Sequence, residues 1–130
     1  MVRIHNDSLI RTAPVHHFNE HVQTVIRELL QTVKYISSDY LAAPQLNYPI
    51  AIAVVDGRIL VNPVISDCAG TVFANEVCNC TPNEQKSTRR HLSIVVQYQD
   101  STGRPQTLKA SGIDATHIQH ALDHLNGLPP

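Results

Sequence analysis

Near its C-terminus the chain reads His120-Ala121-Leu122-Asp123-His124. Two histidines at this spacing stand one turn apart on one helix face, so both imidazoles can grip a single metal ion. In the zinc-hydrolase pattern H-E-x-x-H the residue after the first histidine is a glutamate that acts as general base. Here that position is Ala121. One step of three residues back from His120 leads to His117, on the same side, so the three rings share one stripe. Ile113, Ile118, Leu122 and Leu125 supply apolar flanks that pack such a helix.

Two histidines do not complete a metal site, and a third ligand must come from elsewhere. The segment Glu76-Val77-Cys78-Asn79-Cys80 offers two thiols two residues apart. If the segment is extended, both point to one face. One cysteine with two histidines is a catalytic zinc set that leaves a fourth position for water. Either cysteine can equally be a small buried hydrophobe. Cys68 has no polar constellation near it in sequence and reads as structural.

The elements that must position these groups follow from periodicity. Asn19 is a suitable N-cap for a helix from Glu20 to about Ile36, where Val22, Val25, Ile26, Leu29, Leu30 and Val33 recur at helical spacing. Ser37 to Tyr40 breaks it, and Pro44 predicts an edge or irregular position. Ile50 to Val55 is an apolar, β-rich run closed by the turn pair Asp56-Gly57. Arg58 to Val61 continues as a strand that Asn62-Pro63 interrupts. Val64 to Phe73 is extended but broken at Asp67 and Gly70, and Thr81 to Arg90 is polar and irregular. Leu92 to Tyr98 and Gln106 to Ala110 form a hairpin around Ser101 to Pro105. The last helix runs from about Asp114 to Leu125, and Gly127 ends it. Met1 to Pro14 is a short arm or loop. Helix, strands, helix is an α+β arrangement in one domain over residues 1–130.

Composition narrows the function classes. The chain has 130 residues, 42% of them apolar and 16% charged, with a net charge of -1. Long-range attraction to nucleic acid or an acidic bilayer is therefore weak, so neither DNA nor a membrane is an expected partner. The small basic cluster of Lys86, Arg89 and Arg90 reads as solvated surface. Three cysteines do not make a disulfide scaffold. With no apolar leader or long apolar run, a cytoplasmic location is expected.

Three segments together resemble the peptide deformylase family. Its third motif, a helix with two histidines around a glutamate, is matched by Gln119-His120-Ala121-Leu122-Asp123-His124-Leu125-Asn126-Gly127. Its second, Glu-Gly-Cys-Leu-Ser, is matched by Glu76-Val77-Cys78-Asn79-Cys80. Its first, Gly-x-Gly-Leu-Ala-Ala-x-Gln, is matched by Ser38-Asp39-Tyr40-Leu41-Ala42-Ala43-Pro44-Gln45. Ile59 to Pro63 looks like the family's strand ending in Asn-Pro. Arg90 falls at its arginine after the second motif, and Gly103-Arg104-Pro105 resembles its hairpin turn. The likeness covers nearly the whole chain and implies antiparallel sheets packed around a C-terminal metal-binding helix.

The resemblance implies removal of the formyl group from formyl-methionyl peptides by one divalent ion, Fe2+ in the cell and Zn2+ or Ni2+ as purified. Cys78, His120 and His124 would be its ligands, and bound water would be activated for attack. Gln45 and the backbone N–H of Asn79 would stabilise the oxyanion. Tyr40, Leu41, Val77, Arg90 and His117 would line the substrate cleft. Departures from the pattern fall on that cleft. Ala121 replaces the proton-shuttling glutamate, Ser38, Tyr40 and Val77 replace glycines, and His117 stands where a small apolar residue is usual.

Two classes of function follow. In one, the chain is a deformylase-type hydrolase, weak or altered, whose base is His117, Glu76 or unaided hydroxide. In the other it is a catalytically inactive, metal-binding relative that binds a peptide or another ligand. The expected partners are a formyl-methionyl peptide or nascent chain and the ribosome, with the chain itself a monomer. His117 is expected at the cleft, as a fourth ligand, beside the metal water, or packed as a neutral ring.

Overall fold

The computed structural model describes residues 11–78 and 81–128, and only the backbone of residues 77, 78 and 81–86. Helix α1 spans Glu20–Tyr35. Strand β1 (Tyr40–Ala42) passes directly into a single 3-10 turn, Ala43–Leu46. Strands β2 (Ile52–Val55), β3 (Arg58–Ala69), β4 (Val72–Cys78), β5 (Thr81–Arg90), β6 (Ser93–Gln99) and β7 (Pro105–Ser111) precede helix α2 (Gly112–Leu125). β1-β2-β3-β6-β7 form one antiparallel sheet, and β4-β5 form a separate two-stranded ribbon. The α+β architecture with antiparallel sheets and a C-terminal helix is thus the one expected.

α1 begins where the Asn19 side chain accepts the Val22 N–H at 3.1 Å, satisfying one of the first turn's orphan donors. Its apolar stripe, Val22, Val25, Ile26 and Leu29, packs with Leu41, Ile52, Val54 and Val61. On α2, Ala115, Ile118, Ala121, Leu122 and Leu125 pack with Ala42, Ala53, Val55, Leu60, Ile94 and Val96. β2 belongs to both groups. Alternation sends Ile52 and Val54 toward α1 and Ala53 and Val55 toward α2. This is why its sequence is a continuous apolar run rather than an alternating one.

α2 closes with Gly127 at φ 69°, a left-handed position that suits glycine. The Leu128 N–H reaches the Asp123 carbonyl at 2.9 Å and the Gly127 N–H the His124 carbonyl at 3.3 Å, the two bonds of a Schellman cap. The Thr12 N–H donates to the Leu125 carbonyl at 3.0 Å, tying the N-terminal arm to this helix end.

The strands differ from expectation chiefly in β3 and β5, besides the short β1 and the start of β4 at Val72. β3 runs through Asn62-Pro63 without ending. Asn62 takes φ 51° and the ladder shifts register between Val61 and Val64. The Asn62 carboxamide bridges the bulge: its oxygen accepts the Val15 N–H at 2.8 Å, and its nitrogen donates to Val15 O at 2.8 Å and Gln99 Oε1 at 2.7 Å. The polar stretch Thr81 to Arg90 is a strand, paired along β4, not irregular chain. Among the described residues no helix is long and apolar enough to cross a membrane.

Candidate functional site

α2 carries His120 and His124 into the interior, each only 1% exposed, with ring centroids 5.2 Å apart. His120 Nδ1 lies 2.7 Å from Glu76 Oε1. A carboxylate can only accept, so this nitrogen is the donor. Nε2 is buried with no hydrogen-bond partner among the described residues. Glu76, on β4, also receives Arg90 of β5 through two bonds, Nε to Oε2 at 2.9 Å and Nη2 to Oε1 at 2.7 Å. Arg90, expected from the sequence on a solvated basic surface, is instead buried, and it reaches back to Asp123 on α2. The ribbon is thereby clasped to the helix by a buried chain of charges.

The environment sets these protonation states. Burial opposes the charge on Glu76, but hydrogen bonds from Arg90 and His120 outweigh it and hold the carboxyl down to about 2. Burial likewise opposes the Arg90 charge, and its bonds to Glu76 and Asp123 reverse that effect and raise its pKa. Burial pushes the His120 imidazole below its ordinary value, with the Glu76 bond acting the other way.

The expected bound divalent ion needs correction. Among the described residues, no group of three or more His, Cys, Asp or Glu side chains comes together to hold a metal ion. The described acidic neighbour of His120 is Glu76, which is committed to Arg90 and to the Nδ1 proton. The side chains of Val77 and Cys78, and Asn79 and Cys80 entirely, lie outside the described residues.

Tyr40, at the start of β1, lies tilted against two rings of the stripe. Its ring centroid is 4.6 Å from that of His120 and 5.0 Å from that of His117, and its hydroxyl is 3.4 Å from His120 Nδ1. His117 sits at the wall of a cleft of about 620 Å3 that also holds Ser38, Asp39, Tyr40, Asn75 and Glu76. Its Nδ1 lies 3.2 Å from Asp56 Oδ1, and its Nε2 lies 4.0 Å from Asp39 Oδ2. The remaining expected site residues lie deeper. Gln45 is buried in the 3-10 turn, where its Oε1 accepts the Ala42 N–H at 3.0 Å. Leu41 packs in the α1 core, and Ala121 is fully buried in the α2 core. Cys68, read as structural, is exposed on β3.

A second hollow of about 570 Å3 opens between β3, β5 and α2, with Arg90, His91 and Asp123 in its wall; none of His117, His120 and His124 lines it. Gln119 borders it, and its side chain brackets the His91 backbone with two 2.8 Å bonds.

Sequence reasoning passed over Asp39, Asp56 and Asp123. Asp56 reads fully as a turn residue before Gly57, and nothing in spacing pairs it with His117, 61 positions away. Asp123 was open to detection, since it lies within the histidine motif, three residues after His120.

The polypeptide deformylase family pattern matches residues 1–129. A peptide deformylase of Dictyoglomus turgidum is 33% identical over 123 residues, covering 92% of this chain and 80% of its own length. A Legionella pneumophila peptide deformylase structure superposes with TM-score 0.93 at 28% identity, over 98% of this chain and 83% of that one. The corresponding protein of a Vibrio parahaemolyticus bacteriophage, solved with actinonin, covers 100% of both chains with TM-score 0.92 at 27% identity. Family pattern, sequence relatives and superposed fold agree over almost the whole length, and the chain belongs to the polypeptide deformylase family.

Proposed function

We propose that this chain is a deformylase-family protein that binds a peptide end in the cleft beside Tyr40 and His117 and hydrolyses formyl-methionyl peptides slowly or not at all. The observation that carries this reading is that the described acidic neighbour of His120, Glu76, is bound by Arg90 and by the His120 Nδ1 proton. Proton transfer is compromised. Position 121 has no ionisable group, and a Glu76 carboxyl held down to about 2 is a poor base at neutral pH. Three of its acceptor positions are already engaged by Arg90 and His120. What remains is a cleft of peptide size on a family fold.

In this reading the natural ligand is the N-terminal end of a peptide or nascent chain. The chain acts as a monomer in the cytoplasm, as one domain, with access to the ribosome. The test is release of free amine from formyl-Met-Ala-Ser, measured beside a family member that carries the third-motif glutamate. Turnover should be lower by at least about 10²-fold, while binding of the same peptide remains measurable by calorimetry. Comparable turnover in the two proteins would overturn the proposal.

A further inference from the structure

The surroundings of His117 bear on what the cleft accepts. Asp56 Oδ1 and Oδ2 lie 3.2 and 3.3 Å from Nδ1. A carboxylate accepts and cannot donate, so Nδ1 carries the proton. In the neutral ring Nε2 is then an acceptor. It faces the Asp39 carboxylate, another acceptor, at 4.0 Å. That distance is too long for a direct hydrogen bond. A ligand nitrogen with several donors, seated above the pair at about 3 Å from each, can bond both acceptors at once.

The rest of the cleft fits such a group. Ser37, Ser38, Asn75 and Thr116 add neutral polar atoms, and no lysine or arginine lines it among the described residues. The Asp39 side chain is 71% exposed and open to a ligand from solvent, while His117 is 14% exposed and fixed from behind by Asp56. The Tyr40 ring lies 5.0 Å from the His117 ring, an aromatic wall that favours a cation nearby.

We infer that the cleft recognises an ammonium group of its peptide ligand, received jointly by the Asp39 carboxylate and His117 Nε2. The inference rests on the peptide-binding reading above and names the ligand chemistry of that site. The ammonium is either a free α-amine or a lysine side chain. Asp56 is a positioning residue that fixes the ring tautomer.

Three amidated probes separate the cases by calorimetric titration of the full chain. Met-Ala-Ser carries a free α-amine, acetyl-Lys-Ala-Ser carries only the side-chain ammonium, and formyl-Met-Ala-Ser carries neither. At least one ammonium peptide should bind about tenfold more tightly than the formyl peptide, the size of one charge-assisted hydrogen bond. The tighter of the two identifies the source of the ammonium. Asp39→Asn and His117→Phe should each shrink that gap to about twofold or less. Asp39→Asn lies at an exposed side chain, so it tests the inference even if His117→Phe does not fold. Equal binding of all three peptides, or an undiminished gap in Asp39→Asn, overturns the ammonium site and leaves peptide binding standing. No binding by any of them overturns both.

Discussion

The Asp56 carboxylate holds the Nδ1 of His117 at 3.2 Å, joining the β2–β3 turn to the middle of α2. The turn is itself anchored to the chain before β1, because the Asp56 N–H donates to the Asp39 carbonyl at 2.7 Å. One wall of the cleft is therefore a chain of three contacts: Asp39 backbone to Asp56, Asp56 side chain to His117, and His117 ring to Tyr40. The ring's orientation is thus set by residues outside the histidine motif.

Arg90→Leu should destabilise the protein by about 3 kcal/mol or more, because it leaves Glu76 buried without its guanidinium partner. Glu76 is 8% exposed and Arg90 6% exposed, so water cannot replace the lost bonds. Urea denaturation at pH 7 measures the loss. A midpoint equal to that of the unaltered chain would show that the clasp adds nothing to stability.

Acid should weaken the fold through Glu76. Its folded pKa of about 2 lies below the ordinary value of 4.5, so its stabilising contribution is complete above the ordinary value and declines as pH falls toward about 2. The urea midpoint should drop across that window. In Glu76→Gln the drop should be shallower, since the substituted group does not titrate. Parallel pH profiles for the two proteins would assign the acid sensitivity to other carboxyls.

Ala121→Glu should not restore a deformylase. The position is fully buried among apolar side chains of the α2 core, where even an uncharged polar group costs about 1–3 kcal/mol and a carboxylate costs more. Thermal unfolding should shift down, and turnover of formyl-Met-Ala-Ser should rise by less than about tenfold, a small part of what a working general base supplies. A larger gain would mean that position 121 reaches the cleft and that the missing carboxylate was the main defect.

Asn62→Ala should cost about 2 kcal/mol, since it strands the Val15 backbone groups and puts alanine at φ 51°. Asn62→Gly relieves the backbone strain but not the lost bonds, so it should recover only part of the deficit. Guanidinium denaturation of the two variants separates the contributions, and identical losses would argue against a role for the dihedral angle.

The residues that fix the frame are also those that read clearly in the sequence. The helical stripe from Val22 to Leu29 and the apolar run from Ile52 to Val55 each report their own burial, because the partners they need are simply apolar. β3 was harder to read. Asn62-Pro63 looks like a strand end, and the bonds that carry the strand past it come from Val15 and Gln99. β5 has no apolar alternation and owes its existence to its partner β4. The histidine stripe was visible from spacing, whereas the carboxylates that orient it, Glu76 and Asp56, arrive from 44 and 61 positions away. The expected metal ion is overturned among the described residues for a related reason, since motif resemblance states which residue types occur and not how many of them converge.

β2, buried on both faces, also has a consequence for how the molecule breathes. Its amide protons are shielded by α1 on one side and α2 on the other, so they should exchange with deuterium only when the whole chain unfolds. β4 and β5 pack chiefly on each other, and Glu76 and Arg90 clasp them to α2. Their amides should exchange through a partial opening in which the ribbon swings off while the sheet stays intact. That opening uncovers His120 without global unfolding, so the rate at which solvent reaches this buried imidazole is set by the strength of one ionic clasp.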